Sequence, residues 1–229
     1  MNTFFKSKGS YDNFNFFHHI DELINFLIER IREFGYTRVI IFGSSSSGRV
    51  VLLYSQILSG KCAFTQFYTI ACAPVSNHSE ENYNISDAHI KESIENIRKY
   101  GPADVLKHKL QLPRQNLFIY VIVAKFHEQD YKNAQSFSDC KYLKIFDDIK
   151  TDIHNVAFMM FLNHKYVEDR KKLFNLVSKL QGADKIDENS DKAAEIVNTI
   201  FYQDGKSLQN LNILIDELIT TGKITSLYK

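Results

Sequence analysis

The stretch VIIFGSSSSGRVVLLY, residues 39–54, sets four consecutive serines between Gly43 and Gly48, directly after a β-branched and aromatic run. Residues 37–43 have the composition of a strand buried on both faces, and residues 49–60 that of a helix closed by glycine. A glycine-serine turn at such a junction has three plausible uses: to cradle a phosphate, to hold a nucleophile, or to cap the helix. A phosphate loop shares the spacing of the two glycines but continues with Lys and then Ser or Thr, which reach the terminal phosphates and magnesium. Arg49 and Val50 stand there instead, and valine ligates no metal.

The nucleophile alternative follows the strand-to-helix elbow Gly-x-Ser-x-Gly, in which small neighbours let the backbone turn sharply beneath an exposed hydroxyl. Counted from the end of the strand, Gly43 is the first glycine, Ser45 the nucleophile, and Ser47 the residue in place of the second glycine. An offset frame makes Ser46 the nucleophile, between Ser44 and Gly48. The Ser45 frame keeps the glycine that ends the strand and leaves the N–H of Ser46 at the helix N-terminus, where it can donate to an oxyanion. A serine-rich cap with no chemistry is the third alternative.

Working outward, residues 20–35 place Ile20, Leu23, Ile24, Leu27, Ile28 and Ile31 at helical spacing, with Asp21 and Glu22 in the first turn and Gly35 at the end. Residues 64–74 read as the next strand, stopped by Pro74. Helices are expected from about residue 86 to 100 and, between Pro102 and Pro113, over 103–112. Residues 116–125, NLFIYVIVAK, are the clearest buried strand. A polar loop over 126–139 leads to a further strand at 140–146, then to one long helix or two ending near Gly182. The tail from Lys185 is expected to contain only helices, in two pieces split around Asp204 and Gly205. Alternating strands and helices argue for a doubly wound, mostly parallel sheet.

A serine nucleophile on this topology needs an acid after a late strand and a histidine after the last one, because histidine takes the serine proton and the carboxylate fixes its tautomer. Asp130, with Glu128 as the alternative acid, follows the strongest strand, and His154 follows the final one. Arg49, in the first turn of the elbow helix, either forms a surface ion pair or faces the site and binds an anionic substrate. His127 lies beside both acids, but no second histidine stands at helical spacing from it, so a solvated loop is expected and no metal site. His18, His19, His78, His89, His108 and His164 read as polar or surface positions. Cys72 reads as a small buried hydrophobe.

The chain has 229 residues, a formal net charge of +1 and 44% apolar residues. This balance gives no electrostatic signature of nucleic-acid binding, and no apolar run approaches the roughly 20 residues of a membrane span. Three cysteines without CxxC spacing give no disulfide framework. A cytoplasmic protein without a cofactor is expected.

The elbow, with GSYDNFNFF before it and the stretches ending in Asp130 and DIHNVAFMMFL after it, resembles the α/β-hydrolase superfamily, especially the members associated with bacterial capsular polysaccharide and surface-glycan biosynthesis. The resemblance implies an α/β-hydrolase-like domain over residues 1–182, without the early N-terminal strands of that fold, and a helical C-terminal extension over 183–229. It implies Ser45, Asp130 and His154 as a triad acting on an acyl-ester or carbohydrate substrate, by hydrolysis or O-acyl transfer. The second expectation is a non-catalytic accessory protein of a glycan-assembly complex that keeps the fold.

Overall fold

The computed structural model describes residues 20–75, 114–154, 156–161, 195 and 198–229. Four strands, β1 (Arg38–Ser44), β2 (Gln66–Cys72), β3 (Leu117–Ala124) and β4 (Leu143–Ile149), form one sheet in the order β1-β2-β3-β4, with every pair parallel. Helices pack on both faces, which is why β2 and β3 are almost continuously apolar and buried. The general α/β architecture expected from the alternation of strands and helices is therefore present.

One face carries α1 (Ile20–Glu33) and α2 (Ser46–Lys61). Leu23, Ile24, Ile28 and Ile31 of α1 and Leu52 and Leu58 of α2 meet Phe67, Ala71, Ile119, Val121 and Val123 of the sheet. Next to them pack Ala134 at the end of α3 (Glu128–Gln135) and Phe137 just beyond it. The segment holding α3 was expected to be a loop. Its eight residues are too polar to show a helical stripe, and the helix is set by its His127 cap and by burial of Asp130, Asn133 and Ala134.

The opposite face is closed by α4 (Val156–Phe161) and by the C-terminal segment. That segment is not helix alone. Residues 198–201 are helical. β5 (Tyr202–Gln203) and β6 (Lys206–Ser207) then form a two-stranded hairpin, and α5 (Leu211–Thr221) follows. The expected break at Asp204–Gly205 is the hairpin turn, where both residues have positive φ. Phe201, Leu208, Leu211, Leu214, Leu218, Ile224 and Leu227 share a core with Tyr68, Ile70, Tyr120, Ile122 and Phe146. Polar ties reinforce this packing: Arg38 donates to the Ile219 carbonyl, Lys144 donates to the Thr225 carbonyl at 2.8 Å, and the Ile224 N–H donates to the Tyr120 hydroxyl at 3.2 Å. The described part of the C-terminal segment thus completes the sheet's second layer.

The expected helices at 86–100 and 103–112, the break near Gly182, and His18, His19, His78, His89, His108 and His164 lie outside the described residues. Among the described residues, no helix is long and apolar enough to cross a membrane.

If the C-terminal segment is part of this core, Leu214→Ala should cost about 2–5 kcal/mol, as large-to-small changes at fully buried sites do. Exposed Ile213→Ala on the same helix should change stability by less than about 0.5 kcal/mol. Urea unfolding of the two variants checks this; equal, negligible losses would show that the segment adds nothing to the core.

Candidate active site

All the candidate residues lie where the strands of a parallel sheet end, the edge at which open α/β sheets present their ligand sites. Ser45 follows β1, His127 and Asp130 follow β3, and His154 follows β4.

The serine turn is tight. Ser45 has φ 56 and ψ −125, a left-handed conformation that a residue with a Cβ adopts only under constraint. Its N–H donates to the Cys72 carbonyl at 2.8 Å, carrying the β1–β2 ladder one residue beyond the strand, and its carbonyl accepts from Arg49 N–H at 3.3 Å to open α2. The glycines are needed because backbone passes so close. A Cβ on Gly43 would stand 2.5 Å from the Ser47 carbonyl oxygen, and one on Gly48 would stand 3.1 Å from Pro74 Cα. Ser47 is exposed, so a serine is accommodated there.

Ser45 occupies the N-cap position of α2, yet its side chain makes no capping hydrogen bond. Its Oγ lies 2.8 Å from His154 Nε2 instead. His154 Nδ1 in turn lies 2.9 Å from both carboxylate oxygens of Asp130. With the proton on Nδ1, donated to the carboxylate, Nε2 is the acceptor for the serine hydroxyl. Serine, imidazole and carboxylate, from three separate loops, therefore form one hydrogen-bonded chain.

Each member is held by its loop. Between Ile122/Phe146 and Ala124/Ile149 the β3–β4 register slips by one residue, leaving Asp147 and Asp148 opposite Val123 alone. Beyond that bulge, Lys125 N–H donates to the Ile149 carbonyl and Phe126 N–H to the Thr151 carbonyl, so the loops after β3 and β4 run together. Thr151 and Ile153 are buried, and Ile153 N–H donates to Thr151 Oγ1 at 3.3 Å. This leaves half-buried His154 directed at its two partners. Asp130, in the first turn of α3, is only 2% exposed. The Asp130 hydrogen bond is the larger influence on His154 and raises its pKa above the usual imidazole value, against the opposing effect of burial.

A second imidazole reaches the same carboxylate. His127 Nδ1 lies 3.1 Å from Asp130 Oδ2 and 3.2 Å from the Asp130 backbone N. One ring nitrogen serves only one of these partners: bare, it accepts the N–H; protonated, it donates to the carboxylate. The bond with hydrogen-bond geometry is the one from the N–H, so Nδ1 is the acceptor that caps α3, and the carboxylate oxygen lies beside that lone pair. The sequence holds a signal for this contact, since His127 and Asp130 stand three residues apart at a helix start. The proximity of His127 to His154, with ring centroids 5.4 Å apart, comes only from the strand pairing.

The other candidates separate clearly. Glu128 is 80% exposed and paired with Lys132, whose hydrogen bond and charge lower the Glu128 pKa, so it is not part of the chain. Arg49 is buried, at 7% exposure. Ser46 is the first residue of α2, and a first-turn N–H has no intrahelical acceptor. Cys72 is fully buried, and burial pushes its thiol up to about 12, which leaves it inert. No protein-family model matches the chain, and no curated protein matches it in sequence.

The strain at Ser45 has a measurable consequence. Ser45→Gly should be more stable than Ser45→Ala by about 1 kcal/mol, because glycine adopts positive φ without cost and strained sites store about 1–3 kcal/mol. Chemical denaturation of the two variants tests this. A more stable alanine variant would mean that the turn is relaxed.

Proposed function

We propose that the protein is a serine-dependent acyl-transfer enzyme of α/β-hydrolase type, with Ser45 as nucleophile, His154 as general base and then acid, and Asp130 as the group that orients His154. The observation that carries this reading is the use of the Ser45 hydroxyl. A serine at a helix N-cap ordinarily accepts from a backbone N–H of the first turn; this one is bonded to an imidazole that is itself bonded to a buried carboxylate.

In the proposed reaction Ser45 Oγ attacks an acyl carbonyl while its proton passes to His154 Nε2. The imidazolium is stabilised by Asp130, and the oxyanion accepts from the N–H of Ser46 at the start of α2. His154 then returns the proton to the leaving alkoxide, giving an acyl-serine. Water or a sugar hydroxyl resolves this intermediate, with His154 again acting as base. Hydrolysis and O-acyl transfer share every step up to the acceptor. A carbohydrate substrate and a place in bacterial polysaccharide biosynthesis follow from the sequence resemblance alone.

A second reading, a non-catalytic member of a glycan-assembly complex, is favoured by one observation. Among the described residues β1 is an edge strand, so no neighbouring strand there supplies a loop with a second oxyanion donor.

Fluorophosphonate labelling separates the two. The enzyme reading expects labelling of wild type and of Ser46→Ala, and none of Ser45→Ala or His154→Ala; an unlabelled, folded wild type would exclude it. The base must be neutral to accept the proton, and Asp130 raises the His154 pKa. The labelling rate, measured in chelating buffer, should therefore rise with pH through a midpoint above about 6.5. Asp130→Asn removes the cause of that upward shift, so its midpoint should move down while its plateau rate falls by up to about 10⁴-fold.

A further inference from the structure

His127, Asp130 and His154 present two imidazole nitrogens and a carboxylate oxygen that all lie within 4.8 Å of one another. Asp130 Oδ2 is common to both contacts, 3.1 Å from His127 Nδ1 and 2.9 Å from His154 Nδ1. Zinc ligands stand about 2.0–2.2 Å from the ion, which puts neighbouring donors roughly 3.3–3.5 Å apart in a tetrahedron. The two nitrogen–oxygen contacts need small outward shifts to reach that spacing, and the two nitrogens, within 4.8 Å of each other, close on the ion from either side. Two imidazoles and a carboxylate are a common zinc-ligand set, with the fourth position left to water. Both histidines are partly exposed, with side chains at 29% and 41% of full accessibility, so an ion has a way in.

A second observation points to a cation between these groups. His127 Nδ1 faces a backbone N–H and a carboxylate oxygen at nearly equal distance, and a neutral ring cannot satisfy both. When it caps the helix, its lone pair opposes that of Oδ2, and only a positive centre between them turns the contact attractive.

We propose that His127, Asp130 and His154 form a divalent-cation site suited to zinc, and that its occupation excludes the hydrogen bond through which His154 activates Ser45. Binding stands on the donor geometry alone; its effect on Ser45 rests on the enzyme reading above. The proton balance is simple. Zinc takes Nδ1 of each neutral ring; on His154 the proton moves from Nδ1 to Nε2, and on His127, whose Nδ1 is already an acceptor, it stays on Nε2. His154 Nε2 then points an N–H at Ser45 Oγ and can no longer accept the serine proton. His127 makes this possible by adding a second nitrogen to the single imidazole and carboxylate of a triad.

The test is zinc titration by calorimetry on the full chain at about pH 7.5, where imidazole is mostly neutral, using wild type, His127→Ala, His127→Gln and Ser45→Ala. Wild type and Ser45→Ala should each bind zinc at this site. Both His127 variants, shown to be folded by their thermal transitions, should bind more than about 100-fold more weakly, beyond the loss expected from removing an outer-shell partner. A wild type that binds no zinc, or binds it no more tightly than the His127 variants, would overturn the proposal. In a parallel assay zinc should block fluorophosphonate labelling of wild type, reversibly with EDTA, and leave that of His127→Ala unaffected. Labelling of wild type that persists at zinc saturation would overturn the claim of exclusion. A wild type that binds zinc yet never labels would instead remove the enzyme reading and leave the cation site standing.

Discussion

The hydrogen bond from Ser45 N–H to the Cys72 carbonyl is the constraint on which the arrangement at the sheet's edge depends. It holds the chain in ladder register one residue past β1, where the backbone must reverse into α2, and so fixes Ser45 at positive φ. A typical hydrogen bond contributes about 0.5–1.5 kcal/mol net, whereas strain of this kind costs about 1–3 kcal/mol. The bond alone does not offset the strain. The remainder comes from contacts that form only if the turn is made: the first turn of α2 seated on Gly43, the Pro74 segment seated on Gly48, and Leu52 and Leu58 buried against β2 and β3. A relaxed turn would swing α2 off the sheet and forfeit that burial, worth about 1.5–3 kcal/mol for each large side chain.

The carboxylate imposes a second constraint, linked to the first through His154. Burying Asp130 costs several kcal/mol unless its oxygens are served, and in this structure His154, from the loop after β4, reaches Asp130, in the segment after β3. Those loops meet because β3 and β4 are adjacent and parallel and because the bulge at Asp147–Asp148 adds a residue just before the turn. The C-terminal segment contributes from the far side of the sheet. By covering Tyr68, Tyr120 and Phe146 it keeps the second face dry, and a sheet with both faces covered is what parallel pairing of these strands requires.

Much of this was legible in the sequence because it rests on local patterns. The apolar runs of β2 and β3, the helical spacing of α1 and the glycine-serine turn each carry their own signal, and the order serine, acid, histidine at successive strand ends follows from topology. What escaped is held by tertiary contacts. Helix α3 has no apolar stripe and is held by a histidine cap and three buried positions. The hairpin at 202–207 is two residues per strand, too short to show alternation. Arg49 stands in the sequence as either a surface ion-pair partner or a site cation, and its burial follows from packing that residue type does not encode. The contact of Ser45, which stands at positive φ with its Oγ 2.8 Å from His154 Nε2, depends on strand pairing that the spacing of the glycines does not encode.

His127 exposes a tension that a plain serine–histidine–acid chain lacks. In that chain the carboxylate has one imidazole to orient, and every proton has a single best place. Here Asp130 Oδ2 has a second imidazole nitrogen beside it, His127 Nδ1 at 3.1 Å next to His154 Nδ1 at 2.9 Å. Under the proposed cation site, an ion that meets this oxygen competes directly with the hydrogen bond that sets the His154 tautomer. The three-residue spacing of His127 and Asp130 at the start of α3 thus ties the hydrogen bonding of His154 to whatever occupies the space between two rings. The geometry on which the proposed acyl transfer rests is also the geometry of the proposed means to switch it off.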